Sequence, residues 1–159
     1  MTKTVAQAMT PDPVVVYPRT PIEEAIQILA ERGFSGLPVV NERHQLVGVL
    51  STLDILHRQE GLRPPLYFWF MDAVIWLENP HHYRQELHKV LGPTVADVMT
   101  PHPISIHPEA SLTVAAHKMH QHNVRRLPVV NSENRVVGIL TRGDIVRALA
   151  EDMAQPTES

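Results

Sequence analysis

A chain of 159 residues, with 43% hydrophobic and 19% charged residues, has the composition of a globular protein and is long enough to bury a core. Its net charge of -3 provides no basic surface for nucleic acid, so DNA and RNA binding are disfavoured. Because the chain contains no cysteine, a disulfide framework and thiol catalysis are excluded.

The N-terminal segment lacks the apolar core that a signal peptide needs, which predicts a cytoplasmic protein. The longest apolar run, residues 66–77, contains Asp72 and is shorter than the roughly 20 residues required for a membrane-spanning helix. We therefore expect no membrane partner.

The sequence contains an internal repeat with an offset of 90 positions. Met-Thr-Pro occurs at residues 9–11 and again at 99–101, and Leu-Pro-Val-Val-Asn occurs at 37–41 and again at 127–131. The register continues without a gap to the end of each copy. Two copies of one supersecondary unit are therefore predicted.

The first half of each copy combines helix and strand signals. Residues 5–9 predict a short helix, and the following prolines predict an extended segment at 14–16. Thr20 with Glu23 three residues later predicts a capping box, with Pro21 as the first helical residue. Gly33 is the predicted helix stop. In the second copy we expect Ser111 to replace the threonine cap.

The second half of each copy predicts a hairpin followed by a helix. Residues 37–40 and 46–50 are apolar runs of strand length around a polar turn, and a helix is expected from Thr52. The order in each copy is α-β-α-β-β-α. Since a copy of fewer than 60 residues buries little surface alone, we expect the two to pack about a pseudo-twofold axis.

The segment between the copies is not explained by the repeat. Residues 66–77 hold both tryptophans and two of the three phenylalanines, and they predict an aromatic-rich helix that ends near Pro80. A more polar helix at 83–91 should stop at Gly92. The aromatic helix either packs over its own sheet edges or forms an interface, and we expect a homodimer. The predicted domains are a first repeat at 1–58, an inserted helical segment at 59–94, a second repeat at 95–152 and a tail at 153–159.

The repeated motifs together resemble a tandem pair of cystathionine-β-synthase (CBS) domains, also called a Bateman module. The resemblance rests on Met-Thr-Pro, on Leu-Pro-Val-Val, and on Gly-hydrophobic-hydrophobic-Ser/Thr-x-x-Asp at the last strand-to-helix junction of each copy. It implies an α/β (α+β) fold of two pseudo-twofold-related repeats. It also implies a regulatory module that binds AMP, ADP, ATP or S-adenosylmethionine between the repeats.

The resemblance implies two ligand sites. In the main site, a hydroxyl and a carboxylate would hold the ribose, apolar side chains and a threonine would contact the adenine, and two arginines would face the phosphates. These groups are Thr141 and Asp144, then Val14, Val16 and Thr10, then Arg125 and Arg126. The second site would use Ser51, Asp54, Thr100, Ile104 and Ile106. It has Ser35 and Gly36 in place of the arginines, which predicts weaker binding of anions or an empty site.

Simpler interpretations exist for the same residues. The Ser51 and Thr141 motifs are also helix N-caps with a carboxylate in the first turn, which stabilise a helix without any ligand.

His117 and His120 share a helical face, but no cysteine or suitably placed carboxylate completes a zinc site, so we predict no metal. We find no nucleophile beside a base and no glycine-rich phosphate loop, and an enzyme is not expected.

The leading hypothesis is therefore a sensor of adenine nucleotides that acts on another, unidentified protein. The resemblance favours AMP, ADP or ATP over S-adenosylmethionine, and Mg²⁺ is compatible with an ATP ligand. The alternative is a ligand-free scaffold that docks a partner through the aromatic inserted helix.

Overall fold

The computed structural model describes residues 3–57, 67–70, 73–76 and 80–155. The helices are α1 (Val5–Ala8), α2 (Ile22–Arg32), α3 (Thr52–His57), α4 (Pro80–Leu91), α5 (Leu112–Gln121) and α6 (Arg142–Ala154), with a 3-10 helix at Val95–Asp97. The strands are β1 (Thr10–Pro11), β2 (Gly36–Val40), β3 (Leu46–Ser51), β4 (Tyr67–Phe70), β5 (Ala73–Trp76), β6 (Thr100–Pro101), β7 (Arg126–Val130) and β8 (Val136–Thr141).

The mixed α+β architecture and the two copies of one element order are confirmed. The first copy runs α1-β1-α2-β2-β3-α3, and the second differs only in having a 3-10 helix in place of α1. The first strand, however, is Thr10–Pro11, whereas residues 14–16 form no named strand. Within that segment Val16 makes one isolated bridge to Val39, and its N–H donates to the Pro38 carbonyl at 3.0 Å.

Contacts divide the chain into two compact units that mix the repeats. The first unit contains residues 1–15, 40–48 and 101–159, and the second contains residues 16–39 and 49–100. The N-terminal segment of the first repeat thus belongs to the same unit as most of the second repeat. This exchange matters for function because it places residues from both repeats in one sheet.

The sheet of the first unit has the strand order β1–β8–β7, and both pairs are antiparallel. Thr10 lies opposite Ile139, and Pro11 lies opposite Gly138. A Cβ added at Gly138 would lie 3.1 Å from the Thr10 carbonyl oxygen and 3.0 Å from Met9 Cγ. Glycine at this position therefore allows β1 to approach β8 closely.

A hydrophobic core fills the first unit. Its members come from α1, α5, α6 and the sheet, and each is at most 9% exposed: Val5, Ile106, Leu112, Ala115, Met119, Leu127, Val129, Leu140, Ile145 and Ala148. Because α6 contributes Ile145 and Ala148, burial fixes the helix whose first turn carries Asp144.

A second cluster of the first unit joins the hairpin turns of the two copies. The buried members are Val40, Leu46, Val130 and Val136. The Leu46 N–H donates to the Asn134 carbonyl at 2.9 Å, and the Val136 N–H donates to the His44 carbonyl at 3.1 Å. Since these two bonds are related by the 90-residue offset, the turns are arranged about a local pseudo-twofold axis.

The second unit has a sheet of order β2–β3–β6 together with α2, α3, α4 and the 3-10 helix. Its interior includes Ile22, Leu37, Leu50 and Leu91, each at most 1% exposed. His88 on α4 lies 2.7 Å from the Glu23 carboxylate on α2, and this contact ties the two helices together.

The repeat extends to unusual backbone conformations. Left-handed φ values recur in three pairs separated by 90 positions: Asp12 (46°) with His102 (50°), Gly33 (65°) with Asn123 (52°), and His44 (63°) with Asn134 (62°). Asparagine tolerates this region better than other residues that carry a Cβ, which explains the exchange of Gly33 for Asn123. The predicted stop of α2 at Gly33 is confirmed.

The prediction of an aromatic-rich helix between the repeats is wrong. β4 and β5 form an antiparallel pair in which Tyr67 lies opposite Trp76 and Phe70 lies opposite Ala73. Aromatic and β-branched residues favour strands, and a short run that is apolar throughout cannot distinguish a strand from a helix by its periodicity. The polar helix is confirmed as α4, which starts at Pro80 and stops before Gly92 (φ 89°). Asp72 lies outside the described residues.

The predicted capping box at the start of α2 is also wrong. Pro21 is the N-cap, the helix begins at Ile22, and the Thr20 hydroxyl accepts the Tyr17 N–H at 2.9 Å. In the second copy Ser111 does cap α5 and accepts the Val114 N–H at 3.2 Å. By the 90-residue offset Ser111 corresponds to Pro21, and proline has no side-chain acceptor to offer.

No helix in the described part of the chain is long and apolar enough to cross a membrane.

Candidate functional site

The junction of β8 and α6 carries a reciprocal capping box. Thr141 has extended backbone angles (φ -110°, ψ 164°), so it ends the strand and serves as the N-cap of α6. Its hydroxyl accepts the Asp144 N–H at 3.2 Å, and its own N–H donates to Asp144 Oδ2 at 2.8 Å. Two amide donors that the helix start would leave unpaired are thereby satisfied.

Asp144 is the one charged or polar residue classed as buried in the described part of the chain, with 6% exposure. Oδ1, its second carboxylate oxygen, lies 3.4 Å from Nη1 of Arg147, one turn along α6. The Arg147 side chain is 69% exposed. A buried carboxylate that keeps one oxygen outside the capping box is suited to accepting hydrogen bonds from a polar ligand.

The strands on either side of β8 bring further predicted residues to this junction. Arg126 on β7 lies opposite Thr141, while Thr10 on β1 lies opposite Ile139, two residues before Thr141. The Arg125 carbonyl accepts the Arg142 N–H at 3.0 Å, which fixes the start of β7 beside the start of α6. Arg125 is exposed and Arg126 is half-buried. The first unit thus gathers Thr10, Arg125, Arg126, Thr141 and Asp144 around one end of β8.

The two valines predicted to contact adenine are placed differently. Val14 is half-buried and belongs to the first unit. Val16 belongs to the second unit, where its side chain is only 2% exposed. Their roles as adenine contacts stay predictions.

The predicted second site contains the same box on β3 and α3. The Ser51 N–H donates to Asp54 Oδ2 at 3.0 Å, and the Asp54 N–H donates to the Ser51 hydroxyl at 3.1 Å. The Thr100 hydroxyl donates to both Asp54 oxygens, at 3.3 and 3.4 Å. Ile104 and Ile106 belong to the first unit, where Ile106 is 5% exposed and part of the core.

The sequence interpretation missed Arg147. The signal was present, because an aspartate and an arginine three residues apart on a helix lie on the same face. It also missed the role of Gly138, which becomes visible only from the pairing of β1 with β8 in the structure.

Lys3 ties the N-terminal segment to the other end of α6. Its Nζ lies 3.0 Å from Asp152 Oδ1 and 3.2 Å from Glu151 Oε2. Asp152 chiefly, and Glu151 to a lesser extent, raise the pKa of Lys3 above its usual 10.5. These charges therefore help to join the segment that leads into β1 to the helix that carries Asp144.

Among the residues that the structure describes, no group of three or more histidine, aspartate or glutamate side chains could hold a metal ion.

Comparison with known proteins identifies both repeats. The family model of the CBS domain matches residues 5–61 and 95–151. The chloroplastic CBS domain-containing protein CBSX2 of Arabidopsis thaliana is 35% identical over 149 residues, which are 91% of this chain and 63% of that protein. The uncharacterized protein MJ1426 of Methanocaldococcus jannaschii is 32% identical, with 86% of each chain covered. This chain therefore matches less than two thirds of the length of CBSX2.

Solved structures show the same fold. CBSX2 in complex with AMP matches with a TM-score of 0.73 and 32% identity, covering 94% of this chain and 98% of that one. The CBS domain pair of protein MJ0100, in complex with 5'-methylthioadenosine and S-adenosyl-L-methionine, matches with a TM-score of 0.69 and 25% identity, covering 92% and 99%.

Proposed function

Because the chain belongs to the CBS domain family, we propose that it is a regulatory module that binds an adenine nucleotide at the junction of β8 and α6. The observation that carries the proposal is the buried Asp144 in its capping box, with Arg126 opposite Thr141 on the neighbouring strand. CBSX2, whose crystallised chain is 32% identical to this chain, has been solved in complex with AMP, and this supports an adenosine compound as the ligand.

The residues around β8 match the parts of a nucleotide. A carboxylate can accept hydrogen bonds from both hydroxyls of a ribose, and Asp144 directs Oδ1 away from the capping box. The guanidinium groups of Arg125 and Arg126 match phosphate oxygens in a bidentate geometry that lysine cannot provide. Thr10 and the half-buried Val14 would contact the adenine.

The same chemistry favours AMP, ADP or ATP over S-adenosylmethionine. Two adjacent arginines suit an anionic phosphate, whereas S-adenosylmethionine carries a sulfonium cation in the corresponding part of the molecule. Mg²⁺ would accompany the ligand only if a polyphosphate such as ATP is bound.

We propose that the second site binds more weakly or stays empty. Ser35 and Gly36 replace the arginines there, so no guanidinium faces a phosphate from those positions. In addition, the Thr100 hydroxyl already donates to both oxygens of Asp54. A ribose would have to replace that contact.

Regulation requires that the ligand bind two states of the protein with different affinity. We propose that the nucleotide changes the preferred conformation of the module or of a homodimer, and so alters a separate protein. The alternative is a ligand-free scaffold. It is favoured by the fact that both capping boxes are complete without a ligand, so that their residues have a structural role of their own.

Titration calorimetry with AMP, ADP, ATP and S-adenosylmethionine distinguishes the two proposals. We expect saturable binding to the wild type and a loss of at least about tenfold in affinity for Asp144→Ala, since hydrogen bonds to a charged group typically contribute about 1.5–3 kcal/mol. Arg126→Ala should weaken AMP more than adenosine. Absence of saturable binding to the wild type would favour the scaffold, and an equal effect on adenosine and AMP would show that Arg126 does not contact phosphate.

A further inference from the structure

The two oxygens of the buried Asp144 carboxylate have different partners. Oδ2 accepts the Thr141 N–H at 2.8 Å and belongs to the capping box. Oδ1 faces Arg147 Nη1 at 3.4 Å, and the exposed fractions of the two side chains are 7% for Asp144 and 69% for Arg147. The second oxygen of this carboxylate thus has the chain's own guanidinium as a partner.

A ribose hydroxyl that approaches Oδ1 would meet Arg147 at the same acceptor. We propose that Arg147 competes with the ribose for Asp144 Oδ1 and thereby lowers the affinity of the site for all adenosine ligands. This inference rests on the proposed function, and it assigns Arg147 a role in tuning affinity that is separate from phosphate recognition by Arg125 and Arg126.

The two boxes differ in sequence at the position of Arg147. By the 90-residue offset His57 stands where Arg147 stands, and the described side-chain contact of the Asp54 carboxylate is with the neutral Thr100 hydroxyl. A guanidinium at this position in one copy alone makes the two boxes electrostatically different.

The size of the effect follows from the geometry. The contact is long, it joins residues three apart on one helix, and its cationic partner is mostly exposed, so solvent screens it and it is easily broken. Removing Arg147 should therefore tighten adenosine binding by about 2- to 5-fold.

The test is titration calorimetry of Arg147→Gln with adenosine and with AMP. Glutamine favours helix formation about as well as arginine does, and it carries no positive charge. Arg135→Gln is the matched control, because Arg135 Nε lies 3.4 Å from Glu133 Oε2 in an exposed pair of the same unit and is not among the predicted site residues. We expect tighter adenosine binding to Arg147→Gln and wild-type affinity for Arg135→Gln.

Unchanged or weaker adenosine binding to Arg147→Gln would overturn the inference. A loss confined to AMP would also overturn it, because Arg147 would then act on the phosphate. If the wild type binds neither ligand, the proposed function itself fails, which is a different result from binding that Arg147→Gln does not change.

Discussion

Gly138→Ala is a direct test of how β1 is held against β8. The new Cβ would lie 3.1 Å from the Thr10 carbonyl oxygen and 3.0 Å from Met9 Cγ, and it would also clash with Met9 Sδ. Met9 is half-buried and packs against the core of the first unit, so a shift of its side chain would disturb that packing. Overpacking of this kind typically costs about 1–3 kcal/mol.

At about 2–4 °C per kcal/mol for a chain of this size, Gly138→Ala should lower the melting temperature by about 2–12 °C. Thermal unfolding followed by circular dichroism measures the change. In a Met9→Ala background the same substitution should cost less, because one of the two obstructions is gone. A stability within about 0.5 kcal/mol of the wild type would refute the claim that Gly138 is required for the close approach of β1.

Three further predictions concern other positions. Gly143→Ala should raise the unfolding free energy by up to about 1 kcal/mol, because the added Cβ would contact only Thr141 Oγ1, at 3.6 Å. The same substitution should weaken AMP binding if Gly143 leaves room for the ribose. Gly33→Ala should lower the melting temperature more than Gly33→Asn, because φ is 65° there and asparagine tolerates this conformation. Lys3→Met should lower the stability measured by urea unfolding at pH 7 but not well above pH 10.5. Because folding raises the pKa of Lys3, the contribution of Lys3 to stability is complete below pH 10.5, its usual pKa. That contribution is lost as the pH rises through the pKa of Lys3 in the folded state.

The repeat made most of the fold predictable. Offset matches at residues 9–11 and 37–41 predicted the hairpins, the final helices and the N-caps at Ser51 and Thr141, because these features depend on local sequence. The exchange of N-terminal segments was not predicted from local patterns. Pairing of Thr10 with Ile139 is a contact between residues far apart in the chain, and no local pattern encodes it.

The errors have local physical causes. Residues 66–77 are apolar except for Asp72, so the choice between helix and strand depended on β-propensity, and Tyr67–Phe70 and Ala73–Trp76 are strands. At α2, the Thr20 hydroxyl forms a turn with the Tyr17 N–H, which removes it from the helix start. At the candidate site, Asp144 and Thr141 were predictable as a motif and the spacing places Arg147 on the same helical face, but the contact of Arg147 with Oδ1 depends on side-chain geometry.

The central claim is that one of two similar capping boxes, the one beside the arginines, is the nucleotide site. The most direct measurement is the AMP affinity of Asp144→Asn and of its repeat counterpart Asp54→Asn, determined by titration calorimetry on otherwise identical proteins. The account predicts that Asp144→Asn loses most of the affinity while Asp54→Asn binds as the wild type does. Loss of binding in Asp54→Asn with wild-type affinity in Asp144→Asn would contradict it.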